Sequence, residues 1–156
     1  MQKITPFLWF TDDAEQAAEF YVSIFKGSKI TSVNRYGEGG PLPKGTAMVV
    51  SFELAGQQFS ALNGGKGPTF SEAISFSVSC ETQEEVDHFW DKLSEGGKTQ
   101  QCGWLKDRYG VSWQIIPTAL PRLMSDPDPV KAQRVMMAML QMVKIDIAAL
   151  EKAYKG

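Results

Sequence analysis

Two polar amide side chains lie in or next to apolar segments that are predicted to be β-strands. Gln114 lies between Trp113 and Ile115 in an apolar run, and Asn63 directly follows the apolar run that ends at Leu62. An amide both donates and accepts hydrogen bonds, so each can orient a polar group of a ligand. We therefore expect Gln114 and Asn63 to be the polar anchors of a binding site.

The two cysteines, Cys80 and Cys102, are the candidates for covalent chemistry. Cys80 comes two residues before Thr82, the predicted cap of a helix, and a helix N-terminus can lower the pKa of a thiol. Two interpretations stay open, a reactive thiol or a small buried apolar side chain. Two cysteines are too few for a disulfide scaffold, so we expect free thiols.

Other reaction classes lack the residues that they require. His88 is the single histidine, and its place in a helix next to Phe89 does not allow a Ser/His/Asp set to be built. Neither glycine-rich stretch is a nucleotide-binding turn, because the one at 37–40 leads into Pro41 and the one at 63–67 leads into Pro68.

The hydrophobic pattern predicts an α+β fold of two βαβββ modules followed by helices. The elements predicted for the first module are a strand at 4–10, a helix at 13–25 and strands at 30–36, 46–54 and 57–62. In the second module they are a strand at 74–78, a helix that begins at the cap Thr82 and ends at Gly96, and strands at 100–106 and 111–116. We place the modules at 1–66 and 67–118 and a helical extension at 119–156, packed as one compact domain.

One helix can cover only one face of each sheet, whereas the run at 4–10 is apolar on both faces. Two such sheets curled side by side would leave a cupped trough, the usual shape of a ligand site. Trp113 and Ile115 suit packing under a helix, so we assign Gln114 to the opposite face of its strand. The apolar side chains expected to line the trough are Leu8, Phe59, Phe76 and Trp104.

Composition is typical of a soluble globular protein, with 156 residues, 43% hydrophobic and 22% charged. The net charge is −2 and the lysines and arginines are scattered, which argues against nucleic acid or an anionic membrane as a partner. The sequence has no apolar run long enough to cross a bilayer and no signal peptide pattern. We therefore expect a cytoplasmic protein.

Six motifs spread over the chain carry a resemblance to one family. They lie at 61–65, 72–76, 85–87, 102–107, 110–117 and 144–147. As a set they resemble the PhnB-like family, often labelled demethylubiquinone methyltransferase-like, of the vicinal oxygen chelate superfamily. That superfamily includes glyoxalase I, extradiol dioxygenases and bleomycin-resistance proteins. The motifs are specific for the family and not for one activity.

The resemblance also bears on metal binding. Metal-using members carry His, Gln or Glu on the first and last strands of each module. The matching positions here fall near Pro6, at Ala61 or Asn63, near Ala73 or Ile74, and at Gln114. Only Gln114 keeps a ligand type, where a metal-using relative would carry Glu. A divalent ion needs several donors, so we expect no metal and no cofactor.

Three functions remain open at this point. The first is a metal-independent protein that binds a small organic molecule. The second is an enzyme acting on such a molecule, glyoxalase- or dioxygenase-like or using Cys80 or Cys102, and the third is the methyltransferase of the family label. We expect a homodimer, by resemblance and because sheet edges need covering. The methionine-rich segment at 130–143 could serve core packing, a ligand lid or a subunit interface.

Overall fold

The computed structural model describes residues 2–156, and the chain divides into two compact units. The first unit ends at Thr69 and the second begins at Phe70. Each unit contains a strand, a helix and three further strands in that order, and the C-terminal helices belong to the second unit. These observations confirm the predicted α+β fold of two βαβββ modules with helices at the C-terminal end.

In the first unit, the helix covers one face of a mixed four-stranded sheet. The elements are β1 (Phe7–Phe10), α1 (Ala14–Ile24), β2 (Lys29–Arg35), β3 (Ala47–Leu54) and β4 (Gln57–Asn63), and the sheet order is β1-β4-β3-β2. Strands β1 and β4 are parallel and the other neighbours are antiparallel. Tyr21 of α1 stacks on Phe52, which in turn stacks on Phe59 with ring centroids 5.4 Å apart. The face of Phe52 and Phe59 is therefore the one under α1.

The second unit repeats this arrangement. Its elements are β5 (Phe76–Cys80), α2 (Gln83–Ser94), β6 (Lys98–Thr99), β7 (Trp104–Lys106) and β8 (Ser112–Pro117), in the sheet order β5-β8-β7-β6. Thr82 caps α2 as predicted, since its side chain accepts a hydrogen bond from Glu85 N, while Glu85 accepts one from Glu81 N. The first strand begins two residues later than predicted, and Ile74 is 75% exposed before it.

The strand predicted at 100–106 is interrupted in the structure. Cys102 and Gly103 have positive φ angles of 60° and 82°, which are incompatible with an extended strand. Their amide groups donate hydrogen bonds of 2.8 Å to the carbonyl oxygens of Met142 and Val143. The partner of this segment is therefore the chain after the fourth helix, which local sequence patterns do not reveal.

Asp107 organises the turn between β7 and β8. Its buried carboxylate accepts hydrogen bonds from the Tyr109 and Val111 amides and from the Trp113 indole at 2.9 Å. These contacts fix the turn and hold the Trp113 side chain on the same face of the hairpin as the Asp107 carboxylate. Because side chains alternate along a strand, Gln114 then points to the other face.

Three helices complete the second unit: α3 (Ala119–Met124), α4 (Pro129–Leu140) and α5 (Ile147–Lys155). Asp128 and Asp146 cap the last two helices by accepting hydrogen bonds from Val130 N and Ala149 N. Among residues 2–156, no helix combines the length and the apolar character needed to span a membrane.

Candidate functional site

A cavity of about 610 Å³ lies in the second unit, on the sheet face that carries Gln114. Gln114 is paired across the β7–β8 ladder with Trp104, so these two side chains share a face. Trp113 and Leu105 form the adjacent pair and are buried on the face toward α2. The residues that line the sheet side of the cavity are Ser77, Ser79, Cys102, Trp104, Gln114 and Ile116.

The other side of the cavity is formed by C-terminal helices. Its lining residues are Leu120, Pro121, Met124 and Ser125 from α3 and the following turn, and Met139 from α4. Sequence reasoning missed these five residues. The feature of the sequence that could have indicated a helical wall is the methionine-rich segment at 130–143. A ligand lid was one of the three roles left open for it. Whether a trough lies between the two modules stays a prediction, since this cavity belongs to the second unit alone.

The Gln114 side chain is held by a hydrogen bond from one of its two Nε2–H groups and leaves its oxygen available. Its Nε2 donates a hydrogen bond of 2.9 Å to Ser75 Oγ. Within the described residues its Oε1 has no protein partner, so the amide offers an acceptor at the cavity wall. The structure therefore places Gln114 on the predicted face, oriented by Ser75, while its role as a ligand anchor stays a prediction.

The side chain of Asn63, the second predicted anchor, is buried and makes hydrogen bonds within the protein. It is 1% exposed, its Oδ1 accepts a hydrogen bond of 2.8 Å from Ala14 N, and its Nδ2 donates one of 2.9 Å to Ala47 O. The amide thus caps the start of α1 and joins it to β3, and its burial keeps a ligand from reaching its polar atoms. We remove Asn63 from the candidate site.

Three of the four predicted apolar lining residues lie on helix-covered faces. Leu8 is paired with Ala61 and is buried, on the same face as Phe59 under α1. Phe76 is paired with Trp113, and their rings are 5.4 Å apart. Trp104 alone of the four lines the cavity. Leu8 and Phe59 are core residues and Phe76 is half-buried against Trp113, because their strands are one residue out of phase with the assumed face.

The two thiols have different surroundings. Cys80 is fully buried, and this burial, with a smaller contribution from Glu85, raises the pKa of the thiol to about 12. A thiol that stays protonated is neither a nucleophile nor a metal ligand, so Cys80 leaves the list of catalytic candidates. Cys102 lies in the cavity wall and is partly exposed.

The cavity has no charged side chain in its wall. Its polar side-chain groups are one amide, three hydroxyls, one thiol and the indole N–H of Trp104. Within residues 2–156, no group of three or more His, Cys, Asp or Glu side chains is arranged to hold a metal. Hard divalent ions prefer carboxylate and carbonyl oxygens, and zinc prefers several thiolates or imidazoles. The donors in this wall do not fit a resident divalent ion.

Nor do the connections from strand to helix fit a nucleotide cofactor. A doubly wound cofactor-binding fold places a glycine-rich turn between a parallel strand and its helix. Here β1 leads to α1 through Thr11, Asp12 and Asp13, and β5 leads to α2 through Glu81 and Thr82. Neither connection contains glycine, and both sheets are mixed.

Comparison with known proteins relates the chain to a family. The family described as 3-demethylubiquinone-9 3-methyltransferase matches residues 2–116. The PhnB protein from Bacillus cereus is 41% identical, with a TM-score of 0.70, over 75% of this chain and 100% of its own length. No curated protein matches the sequence.

More distant structures share the fold alone. Protein PA1353 from Pseudomonas aeruginosa has 20% identity and a TM-score of 0.63, over 75% of this chain and 98% of its own. The fosfomycin resistance protein FosX from Listeria monocytogenes has 14% identity and a TM-score of 0.50, over 75% and 93%. With the family match and the 41% identity to PhnB, the chain belongs to the PhnB-like family described as 3-demethylubiquinone-9 3-methyltransferase.

Proposed function

We propose that the protein binds a small, neutral, largely apolar organic molecule in the cavity of its second unit, without a metal ion. The observation that carries this proposal is a cavity of about 610 Å³ whose wall is apolar apart from a few neutral polar groups. Small-molecule sites in proteins commonly have volumes of roughly 300–1,000 Å³ and this kind of lining.

The wall indicates the chemistry of the ligand. A charged ligand would lose hydration without gaining an opposite charge, which is costly in an apolar site. Trp104 presents an indole ring, which favours contact with a flat or aromatic group. Gln114 Oε1 is an acceptor, so a ligand with an N–H or O–H group would satisfy it. The proposed ligand is therefore neutral, contains a ring and donates at least one hydrogen bond.

Two fluorescent probes with the same ring skeleton test this proposal. N-phenyl-1-naphthylamine is neutral and has one N–H, whereas 8-anilinonaphthalene-1-sulfonate adds a sulfonate. We expect saturable binding of the neutral probe and an affinity at least about tenfold higher than that of the sulfonate, because the wall cannot pair its charge. Equal or tighter binding of the sulfonate, or no binding of the neutral probe, would contradict the proposal.

A pair of tryptophan variants locates the bound probe. Trp104→Leu removes the ring from the cavity wall, and we expect weaker binding of the neutral probe. Trp9→Leu is the matched control, because Trp9 lies in the first unit and its indole donates a hydrogen bond to Gly65 O. An equal loss of affinity in both variants would show that the probe binds outside this cavity.

The metal-independent part of the proposal has its own test. Metal analysis of protein purified without chelator should give far less than one ion per chain. Addition of zinc, nickel or manganese should leave the affinity for the neutral probe unchanged. One tightly held ion per chain would overturn this part while leaving the binding site intact.

Two further candidate functions each have one favouring observation. The description of the matching family names a methyltransferase, so calorimetry with S-adenosylmethionine is the direct check, and we expect no saturable heat. The position of Cys102 in the cavity wall favours a thiol-based enzyme, and the alkylation rate of Cys102 relative to a free thiol tests this candidate. A homodimer and a cytoplasmic location stay predictions, and sedimentation velocity tests the first.

A further inference from the structure

One wall of the cavity is built by a part of the chain that lies outside the family match. That match ends at residue 116, and PhnB, aligned over its whole length, covers only 75% of this chain. All five helix-side lining residues lie beyond residue 116. The sheet side of the cavity thus lies within the matched region, whereas the helix side lies beyond it.

We propose that the α3–α4 wall determines which neutral ring-containing ligand the cavity accepts, with Met124 and Met139 as the residues that determine specificity. This inference rests on the proposed small-molecule function. Methionine side chains are flexible and polarizable and make favourable sulfur contacts with aromatic rings. They therefore suit a wall that faces a flat ligand held against Trp104.

The two sides of the cavity contribute different chemistry. The sheet side supplies Gln114 and the hydroxyls of Ser77 and Ser79. On the helix side the one hydroxyl, that of Ser125, donates a hydrogen bond of 2.6 Å to Pro121 O and is already engaged. The helix side consequently acts through its shape and apolar contacts, which are the properties that select between ligands of similar polarity.

The helices that carry the wall are firmly attached to the sheet by apolar packing. Leu120, Val135, Ile145 and Leu150 form a buried cluster, and Met124 and Met139 pack against it. Ile116 of β8 also packs against this cluster and lines the cavity, so it joins the wall to the sheet.

Polar contacts attach the chain that follows α4, up to the start of α5, to helix α2. Gln83 at the start of α2 donates a hydrogen bond of 3.0 Å to Ile145 O and accepts one of 2.8 Å from Ile147 N. Lys144 Nζ lies 3.0 Å from Asp87 Oδ1 of the same helix. The wall is therefore organised before a ligand arrives, and a ligand loses little free energy in ordering it.

The test compares two neutral probes of different size, 1-aminonaphthalene and N-phenyl-1-naphthylamine, in fluorescence titrations of the full-length protein. We expect Met124→Ala and Met139→Ala each to shift the ratio of their dissociation constants about fivefold or more toward the larger probe, since a shortened side chain enlarges the cavity. Met139→Leu, which nearly conserves the volume, should keep the ratio near that of the wild type.

Met137→Ala is the matched control on the same helix. Met137 is 52% exposed and does not line this cavity, so its truncation should leave the ratio unchanged. Circular dichroism and the urea midpoint of each variant report whether the fold is retained. An unchanged ratio in folded Met124→Ala and Met139→Ala would overturn the inference and leave the proposed function standing. Failure of the wild type to bind either probe would overturn both.

Discussion

Gln114 donates a hydrogen bond of 2.9 Å from its Nε2 to Ser75 Oγ, which orients the amide at the wall of the cavity. One of the two N–H groups of the amide is thereby used within the protein, and the acceptor Oε1 remains available. With the amide held in this orientation, a ligand that donates a hydrogen bond can pair with Oε1. The hydrogen bond to Ser75 thus orients an acceptor toward the ligand.

Replacement of this amide by an apolar side chain of similar size should weaken binding. Gln114→Leu removes one hydrogen bond to the ligand, worth about 0.5–1.5 kcal/mol net, so we expect roughly two- to tenfold lower affinity for N-phenyl-1-naphthylamine. Fluorescence titration measures this change, and Gln133→Leu on α4, outside the cavity, is the control. Unchanged or tighter binding by Gln114→Leu would show that the acceptor is not used.

The two cysteines should react at very different rates. Because burial raises the pKa of the Cys80 thiol to about 12, that residue should resist iodoacetamide in the folded protein and react after unfolding. Cys102, in the cavity wall, should react first at about pH 8, and bound N-phenyl-1-naphthylamine should slow its reaction. Mass spectrometry of digests separates the two sites.

The alkylation rate also separates a thiol enzyme from a binding protein. A Cys102 rate near or below that of a free thiol would remove the thiol-based enzyme. A rate far above it would support that candidate over simple binding. Rapid modification of Cys80 in the folded protein would contradict its burial.

Asn63 should matter for stability and not for binding. Asn63→Ala leaves the Ala14 amide and the Ala47 carbonyl without their buried partners, so we expect a loss of about 2–4 kcal/mol in the free energy of unfolding. Urea denaturation measures this loss, with exposed Asn34→Ala as the matched control. Weaker probe binding by the folded Asn63→Ala protein, with unaltered stability, would return Asn63 to the binding site.

Asp87 should make the attachment of the C-terminal helices depend on pH. Hydrogen bonds from Gln83 and then Lys144 hold the pKa of its carboxyl below the ordinary value of 3.8. A lowered pKa in the folded state means that the stabilisation is present above the ordinary value and is lost as the pH falls through the folded value. The urea midpoint should therefore decrease below about pH 4, more steeply in the wild type than in Asp87→Asn.

Asp91→Asn provides the control for this experiment, since Asp91 is exposed on the same helix. The urea midpoint of Asp91→Asn should change with pH as that of the wild type does. If the urea midpoint of Asp87→Asn fell with pH as steeply as that of the wild type, the Lys144–Asp87 pair would contribute nothing to the attachment of the C-terminal helices.

The elements that sequence patterns predicted best are those specified by local chemistry. The helix expected at 13–25 is observed at Ala14–Ile24, because an apolar stripe at helical spacing is sufficient to define it. The predicted cap at Thr82 is likewise an interaction within a few residues. The break at Cys102 and Gly103 was missed because their hydrogen-bond partners, Met142 and Val143, are distant in sequence.

The sequence by itself determined the two βαβββ modules, the helix caps and the apolar strands that carry Asn63 and Gln114. It did not distinguish the roles of these two amides, since each is a polar residue at an apolar strand. Only the tertiary structure placed Asn63 against the start of α1 and Gln114 at a cavity. The physical reason is that strand side chains alternate, so a shift of one residue exchanges the two faces, and the register depends on distant partners.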